Sequence, residues 1–451
     1  MKFSGAFLAT TLLFSGLALS AAGQNEESSP RHLTLPEAVQ LALKHNHDVR
    51  IAGLEVEVKQ HAKDVARSAY FPNISNESRV FTVTDTQFIQ IPAGGLGTLD
   101  GTPNPTAPVT LSQGGKTFVI SGTTLSQPLT QLLTKVKPAN DAARAEVDAA
   151  RENAEEAQYE VALRVHQIYY QILIAQLHRS AVDAKIRADQ DLEKERGDQV
   201  KYGSVLEEQL IESKAAALEA KQDMLTTQLQ ISDLIMQLDD VMGIPVTTQL
   251  ALDDAVPAVH DTCQREECVK QALASHPEIL AARADVERAS AGVKLAKADY
   301  YPEFSAFARY SYQSDVPFLA RNFGTFGGVF TWDLFDGGRR GAALGESDSK
   351  LAEAKEALAR VTDDVELKVQ VALNKLSRTQ EMIDVSQQVL TLRTESSRVA
   401  SQKLLRGEAL QSEADDAVSR EFDAKTLLLQ SQLGYVQAHD ELLQAMGQTP
   451  E

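Results

Sequence analysis

The sequence predicts a mainly α-helical chain that carries a few β-strands and is built from two copies of one structural unit. Residues 37–72 align without gaps onto 267–302, and ten of these 36 positions are identical. A second block, 203–243, aligns onto 407–447 with an offset of 204 residues. Because solenoid arrays repeat every 20 to 50 residues or so, these long offsets indicate a single duplication.

Residues 1–23 have the features of a signal peptide. Lys2 gives a positive start, residues 6–19 form an apolar run, and 20–23 supply small residues for cleavage. The run is shorter than the roughly 20 residues that a membrane-spanning helix needs. No later apolar stretch is long enough either, so any membrane span in this chain must be made of β-strands.

The mature chain divides into two repeats with short connections. We expect an N-terminal tail over 24–33, a first repeat over 34–243, a linker over 244–263, a second repeat over 264–447 and a C-terminal tail over 448–451.

Each repeat opens with an interrupted helix, predicted over 35–70 and 265–301. The first helix has Thr34 as its cap and Glu37 three residues later, which is a capping box. Asn46 and His276 can cap the segment that follows each interruption. Both helices end at a Tyr-aromatic-Pro sequence, since proline bars further helix.

Strand-like stretches follow these helices, over about 73–91 and 116–129 in the first repeat and 303–313 and 325–335 in the second. In the second repeat the apolar residues alternate with polar ones, as in a half-buried strand. Tyr70, Phe71, Tyr300, Tyr301 and Trp332 lie near the helix–strand junctions, where they fit either a membrane interface or the core at a helix end.

Two very long helices complete each repeat, over 139–201 and 205–243 and again over 341–405 and 408–446. The first of them would be about 95 Å long at roughly 1.5 Å per residue. Ordinary helices average roughly 11–12 residues, so this length is itself diagnostic. The apolar residues follow a heptad-like spacing that suits close packing between helices.

Four strands cannot close a transmembrane barrel, because single-chain bacterial barrels begin at about eight strands. Open edges would leave unpaired backbone groups in lipid. The strand count therefore requires several subunits that share one barrel.

The chain resembles the TolC-like outer-membrane efflux family over about residues 33–447. The resemblance depends on the duplicated order of parts, the Tyr-aromatic-Pro junctions, the sequence Leu-Phe-Asp-Gly-Gly at 334–338 and the helix-hairpin tips at 201–203 and 405–407. It implies a homotrimer with a 12-stranded β-barrel and a long periplasmic α-helical barrel. The first repeat departs from the pattern, with Leu-Thr-Gln at 129–131 and no Gly-Gly after it.

The resemblance also implies partners and a function. The chain would be the outer-membrane channel of a tripartite efflux or type I secretion system in a Gram-negative bacterium, extending into the periplasm and embedded in outer-membrane lipid. A periplasmic adaptor (membrane fusion) protein and an inner-membrane pump would load it. The pump would supply the energy, so we expect no catalytic residues, no cofactor and no metal.

Two groups of site residues are expected at the periplasmic end. The hairpin tips, with Gly reversing the chain, either meet the adaptor or are plain turns: Gly203, Ser204, Val205, Gly407, Glu408 and Ala409. In the resembling family, acidic residues six and nine positions after the tip glycine narrow the entrance. Glu413 and Asp416 hold those positions and Glu212 is the matching acid of the first repeat, although all three also fit a solvated helix face.

The two cysteines, Cys263 and Cys268, favour a disulfide in an exported chain. They make a poor zinc site, since no histidine has the right spacing.

Other function classes find little support. The net charge of −19 disfavours a nucleic-acid partner, and no hydrolase, phosphate-loop or zinc-protease motif occurs. A periplasmic adaptor or coiled-coil structural protein is the alternative, but it would carry one hairpin and no membrane strands.

Overall fold

The computed structural model describes residues 31–86, 88–112, 115–246, 248, 250–253, 255–256, 263–314 and 320–449. The signal peptide predicted at residues 1–23 lies outside the described residues.

The first repeat contains a short strand, helices and a long strand pair with a ribbon between the two strands. Its elements are β1 (Arg31–Leu33), α1 (Leu35–His45), α2 (His47–Ser68), β2 (Asn73–Thr82), β3 (Phe88–Ile91), β4 (Thr98–Leu99), β5 (Thr102–Pro103), β6 (Val109–Ser112), β7 (Thr117–Pro128), α3 (Leu129–Thr134), α4 (Val136–Lys201) and α5 (Glu207–Met242).

The second repeat follows the same order after a short linker strand. Its elements are β8 (Leu250–Leu252), α6 (Arg265–Ser275), α7 (Pro277–Ala298), β9 (Glu303–Gln313), β10 (Asn322–Thr331), α8 (Arg339–Leu405) and α9 (Gln411–Ala445). The helices α4 and α8 contain 66 and 67 residues.

The helix interruption in each repeat is held by a side-chain cap. The Asn46 side chain accepts hydrogen bonds from the backbone N–H groups of Asp48 and Val49, and His276 Nδ1 accepts from the Glu278 N–H at 3.2 Å. These bonds satisfy donors that a helix N-terminus otherwise leaves unpaired. The predicted caps are therefore present, and each predicted opening helix is two helices.

The four long strands form one antiparallel sheet in the order β10-β9-β7-β2. The two hairpins, β2–β7 and β9–β10, come from different repeats, and β7 pairs with β9 between them. The sheet thus joins the repeats and leaves β2 and β10 as its edges.

The predicted strand bounds need three corrections. The stretch predicted at 73–91 is two strands, because Thr82 lies opposite the first residue of β7 and the main ladder stops there. The strand predicted at 116–129 ends at Pro128, and the short helix α3 follows.

The strand predicted at 325–335 is β10, which begins at Asn322 and ends at Thr331. Thr331 pairs with Glu303, which is the first residue of β9. Glu303 is preceded by Pro302, which has no N–H to donate to the ladder. Leu334 and Phe335 therefore lie beyond the sheet.

The predicted N-terminal tail and linker meet in a small parallel sheet of β1 and β8, in which His32 pairs with Ala251. Tyr169 of α4 fastens this sheet, because its hydroxyl donates to the Leu33 carbonyl at 3.1 Å and lies 2.9 Å from the Asp253 carbonyl. Parallel strands need a crossover connection, and here that connection is almost the whole first repeat.

The long helices pack side by side around α4. One half of α4 packs between α2 and α7, and the other half packs between α5 and α9. Among the long helices of the described ranges, α8 packs against α7 and α9, and the short helix α6 docks on it as well. The layer therefore runs α2–α4–α7–α8 in one half and α5–α4–α9–α8 in the other.

Two apolar cores lie where the short helices dock on this layer. The larger core joins α1 to α4 and α5 and includes the buried side chains of Val165, Ile172 and Leu238. The smaller core joins α6 to α8 and α9 and includes Cys268, Val369 and Leu442. The cores repeat each other, since Val165 and Val369 are equivalent at the offset of 204.

The two cysteines form a disulfide at the edge of the smaller core. Cys263 and Cys268 have Cα atoms 5.7 Å apart, within the usual range for a disulfide. The bridge attaches the end of the linker to α6.

The glycines that end α5 and α9 allow a close approach between elements. Gly243 has a φ of +66°, and a Cβ there would lie 2.8 Å from the His45 carbonyl oxygen. Gly447 has a φ of +71°, and its Cβ would lie 3.0 Å from the His276 Cα. Each long helix therefore ends directly against a helix interruption, at a position that only glycine fits.

Candidate functional site

The four-stranded sheet has one apolar row and one polar row next to each other. Ile74, Leu125, Ala308 and Phe326 lie in register across all four strands. The adjacent row points to the other face, and it consists of Ser75, Thr124, Arg309 and Thr325. Phe326 is 88 % exposed and Ile74 is 69 % exposed. One face is thus suited to lipid and the opposite face to water.

The polar face carries charged side chains that are accommodated by the sheet itself. Glu77 accepts hydrogen bonds from Arg79 two residues away, and the Arg309 guanidinium lies directly over Gly122. A Cβ at Gly122 would lie 2.7 Å from Arg309 Nη2, so glycine leaves room for this side chain.

Both edges of the sheet have a free side in the single chain. Among the described residues, β2 pairs only with β7, and β10 pairs only with β9. The two edges are ten residues long each, and free strand edges of that length invite pairing with another strand.

The helical layer has matching free edges. On α5 the exposed apolar side chains are Ile211, Leu218, Leu225, Leu229 and Met236. On α8, before Leu405 at its last residue, they are Leu367, Val371, Met382, Val385, Leu392 and Val399. Both sets approximate a heptad spacing, which is typical of a helix face that packs against another helix. The chain therefore exposes two apolar stripes at the two ends of one layer.

The junction between helices and sheet is polar and aromatic. Tyr70, Phe71, Tyr300, Tyr301 and Trp332 are all between 42 % and 68 % exposed, so none of them is a core residue in the single chain. The Arg340 guanidinium lies 5.4 Å from the centre of the Tyr300 ring and 2.6 Å from the Asp336 carboxylate. Lys135 pairs with Asp299 at 2.8 Å nearby.

The hairpin tips are tight turns. Gly203 and Gly407 have φ angles of +69° and +72°, in the region where only glycine is unstrained. Ser204, Val205, Glu408 and Ala409 follow them, and both next helices begin after Leu206 and Leu410. Leu206 is 68 % exposed and Leu410 is 45 % exposed, so each tip presents a leucine to its surroundings.

The acidic residues near the second tip have local partners. Glu413 Oε2 accepts from the Leu410 N–H at 3.4 Å, which caps α9. Asp416 pairs with Arg420 at 2.7 Å, and both side chains are at least half exposed. Glu212 lies on α5, one turn into that helix. The structure brings Glu413 and Asp416 to the start of one helix but places Glu212 on a different one.

Sequence reasoning missed a polar junction where α4, α7, α8 and α9 meet. Ligand atoms of Glu156, His276 and Glu278 lie within 4.8 Å of one another. Lys368 Nζ lies 2.7 Å from the Glu278 carboxylate, and His276 is engaged as a helix cap. The ammonium group of Lys368 thus supplies the positive charge next to these carboxylates. No spacing in the sequence could reveal the junction, because Glu156 and His276 are 120 residues apart.

Glu156 is the residue of this junction whose pKa is shifted most. Burial raises its pKa to about 7, and the nearby Glu278 carboxylate adds to the rise. One carboxylate oxygen, Oε1, accepts from Gln444 at 3.4 Å, while Oε2 is buried and has no hydrogen-bond partner among the described residues.

A second polar pair is buried between α4 and α9. His166 Nδ1 lies 2.7 Å from Asp440 Oδ2, and Tyr170 donates to the same oxygen at 3.4 Å. His166 and Asp440 are 0 % and 4 % exposed. This pair also escaped sequence reasoning, since its members are 274 residues apart.

None of the helices in the described ranges is long and apolar enough to cross a membrane.

A family comparison identifies the second repeat. Residues 268–448 match the model of the outer membrane efflux protein family. No curated protein sequence matches the chain.

Solved structures match the fold of almost the whole chain. The Campylobacter jejuni CmeC outer membrane channel superposes with a TM-score of 0.76 at 15 % identity, covering 92 % of this chain and 85 % of the other. The outer membrane protein VceC from Vibrio cholerae gives 0.73 at 16 %, with 92 % and 97 % covered. The Neisseria gonorrhoeae MtrE outer membrane channel gives 0.73 at 17 %, with 92 % and 89 % covered. The predicted fold class and resemblance are confirmed.

The perturbed Glu156 predicts a pH dependence of stability. Its pKa in the folded chain, about 7, lies above the ordinary glutamate value of 4.5, so folding favours the protonated form. The contribution of Glu156 is fully present below about pH 4.5 and is lost as the pH rises through about 7. The midpoint temperature of unfolding, followed by far-UV circular dichroism, should therefore fall less between pH 5 and pH 8 in Glu156→Gln than in the wild type.

Glu219 provides the control, since its side chain is exposed on α5 and is not among the charges that raise the Glu156 pKa. Glu219→Gln should keep the wild-type dependence. An identical pH response in Glu156→Gln and wild type would show that this carboxyl does not change protonation on folding.

Proposed function

We propose that this chain, whose residues 268–448 belong to the outer membrane efflux protein family, forms a passive export channel across the outer membrane and into the periplasm. Three copies assemble the channel, each contributing four strands to a 12-stranded barrel and its long helices to a continuous helical barrel. The channel belongs to a Gram-negative bacterium, and outer-membrane lipid surrounds its strands.

The single observation that carries this proposal is the sheet with two free edges and opposite faces. Its apolar row needs lipid, its polar row needs water, and lipid does not tolerate unpaired strand edges. Further copies satisfy all three requirements. The β2 edge of one copy can pair with the β10 edge of the next, and the closed barrel then has lipid outside and water inside. Three copies of four strands make twelve.

The alternative, a periplasmic adaptor or coiled-coil structural protein, does not account for the sheet. Such a protein needs helical hairpins, which this chain has, but not a two-faced sheet with exposed Phe326 and Ile74. The family is one of passive channels, and in the described residues the polar clusters are helix caps and ion pairs. We therefore propose no catalytic role.

The partners of the channel are proposed from the same family membership. An inner-membrane pump supplies energy, and a periplasmic adaptor joins the pump to the hairpin tips. The exposed Leu206 and Leu410 beside the tip glycines offer the adaptor an apolar contact on each tip. Both tips can contact the adaptor, since the duplication gives them the same Gly-x-x-Leu sequence.

Assembly and conduction test the proposal directly. Purified mature protein in a mild detergent should have the mass of three copies, and in planar lipid bilayers it should conduct ions. Mass is measured by light scattering corrected for bound detergent. A monomer that carries a closed barrel, or a trimer that never conducts, would contradict the proposal.

The tips are tested by crosslinking in cells. A photoreactive amino acid at Ser204 or Glu408 should capture a periplasmic protein that mass spectrometry identifies as an adaptor with a helical hairpin. The matched control is the same amino acid at Glu356, which is exposed on α8 far from the tips. Equal capture from all three positions would indicate that the tips are plain turns.

We place the narrowest part of the entrance at Glu413 and Asp416, with Glu212 contributing a weaker ring from the first repeat. Three copies around an axis would stack acidic rings that attract cations. Glu413→Gln with Asp416→Asn should raise single-channel conductance and weaken block by multivalent cations, because the rings lose their charge. Glutamine is chosen since it can still cap the helix.

A matched control is Glu353→Gln with Glu356→Gln, another exposed i, i+3 acidic pair on a long helix. It should leave both conductance and block unchanged. If the double variant at the entrance behaves like this control, the three acids are ordinary surface residues.

A further inference from the structure

The duplication makes the surroundings of α4 and α8 comparable residue by residue. The helices α4 and α5 correspond to α8 and α9 with an offset of 204, and α2, the other neighbour of α4, corresponds to α7 with an offset of 230. The helix α4 has a second side, which packs against α7 and α9. The equivalent side of α8 is the free edge of the layer.

The free side of α8 has the chemistry of a buried side. Ala181 and Ala188 of α4, in the half of that helix that packs between α5 and α9, are 1 % and 4 % exposed. Their equivalents on α8 are Val385 and Leu392, which are larger, apolar and 60 % and 72 % exposed. A solvated helix face has no need of these side chains. The free side of α8 is therefore built to be covered.

The free side of α5 shows the same relation to α9. Leu433 of α9 is 1 % exposed, while its equivalent on α5, Leu229, is 62 % exposed. Asp440, which meets His166 of α4, is equivalent to Met236 of α5, which is 41 % exposed. The face of α5 that is free thus corresponds to the face of α9 that packs on α4.

Charge follows the same pattern at the polar junction. Inside the chain Glu156 of α4 faces Glu278 of α7 and accepts from Gln444 of α9. The equivalents are Arg360 on α8, Asp48 on α2 and Asp240 on α5. All three side chains are exposed, and among the ion pairs of the described residues none involves Arg360 or Asp240. The position of the Glu156 carboxylate is thus taken by a guanidinium on the free edge of α8, and the positions of Glu278 and Gln444 are taken by carboxylates on α2 and α5.

We propose that the seam between neighbouring copies repeats the internal junction of α4 with α7 and α9, so that Arg360 of one copy pairs with Asp240 and Asp48 of the next. The occupant of each free edge is a second copy of this chain. The inference depends on the proposed trimer and specifies its register. His166 and Asp440 inside the chain become Gln370 and Met236 across the seam, and the exposed leucines and valines of α5 and α8 interdigitate between them.

Crosslinking tests the register. His166 Nδ1 and Asp440 Oδ2 are 2.7 Å apart, so their equivalents should be close across the seam. Gln370→Cys with Met236→Cys in one chain should yield covalent dimers and trimers with a short bifunctional thiol reagent. Each single variant, and the pair Lys355→Cys with Met236→Cys, should yield monomers on a denaturing gel. The native cysteines do not react, since they form a disulfide.

Charge reversal tests the ion pair. Arg360→Glu and Asp240→Lys should each cause loss of the trimer in mild detergent, and the double variant should recover it. Lys355→Glu is the control, because its equivalent on α4, Arg151, remains 58 % exposed even in the internal junction. Both charged positions are exposed in the single chain, so neither variant should impair its folding.

The outcomes separate this proposal from the trimer itself. A conducting trimer that gives no crosslink at Gln370 and Met236 would overturn the register and leave the channel intact. If the double charge reversal forms no more trimer in mild detergent than either single variant, the proposed ion pair is wrong. A monomer in detergent would overturn both the seam and the proposed channel.

Discussion

The constraint on which this structure depends is that neither of its layers can close on itself. The sheet ends at β2 and β10, and the helical layer ends at α8 and at α2 or α5. Water can solvate a free helix face, but a free strand edge cannot be left in lipid. In the assembly proposed above, the strand edges pair between copies, and the apolar stripes on α5 and α8 lie along the same seam.

Inside the chain, α4 is the element that makes two repeats into one body. It is the long helix that packs against long helices of both repeats, and it carries many of the side chains that join them. Some of those contacts are apolar, but His166 with Asp440 and Glu156 with Gln444 are polar and buried or half-buried. Buried polar pairs are costly to leave unsatisfied, so they specify which helix packs where.

Duplication explains why the two repeats resemble each other in outline and differ in detail. The caps at Asn46 and His276 and the glycines at 243 and 447 retain the same geometry, because each helix end must meet a helix interruption closely. The residues that face the partner repeat have diverged, since one set is covered inside the chain and the other is exposed at its edge. Leu433 and Leu229 show this most clearly, being 1 % and 62 % exposed.

The sequence by itself determined the features that depend on neighbours along the chain. These include the duplication, the length of the four long helices, the breaks at Asn46 and His276, and the turns at Gly203 and Gly407, because capping and backbone conformation are local. Only the tertiary structure decided the order of the strands, the pairing of β1 with β8 and the meeting of His166 with Asp440. Those contacts join residues that are far apart in the chain, and the physical terms that select them, packing and the satisfaction of buried polar groups, exist only once the helices are side by side.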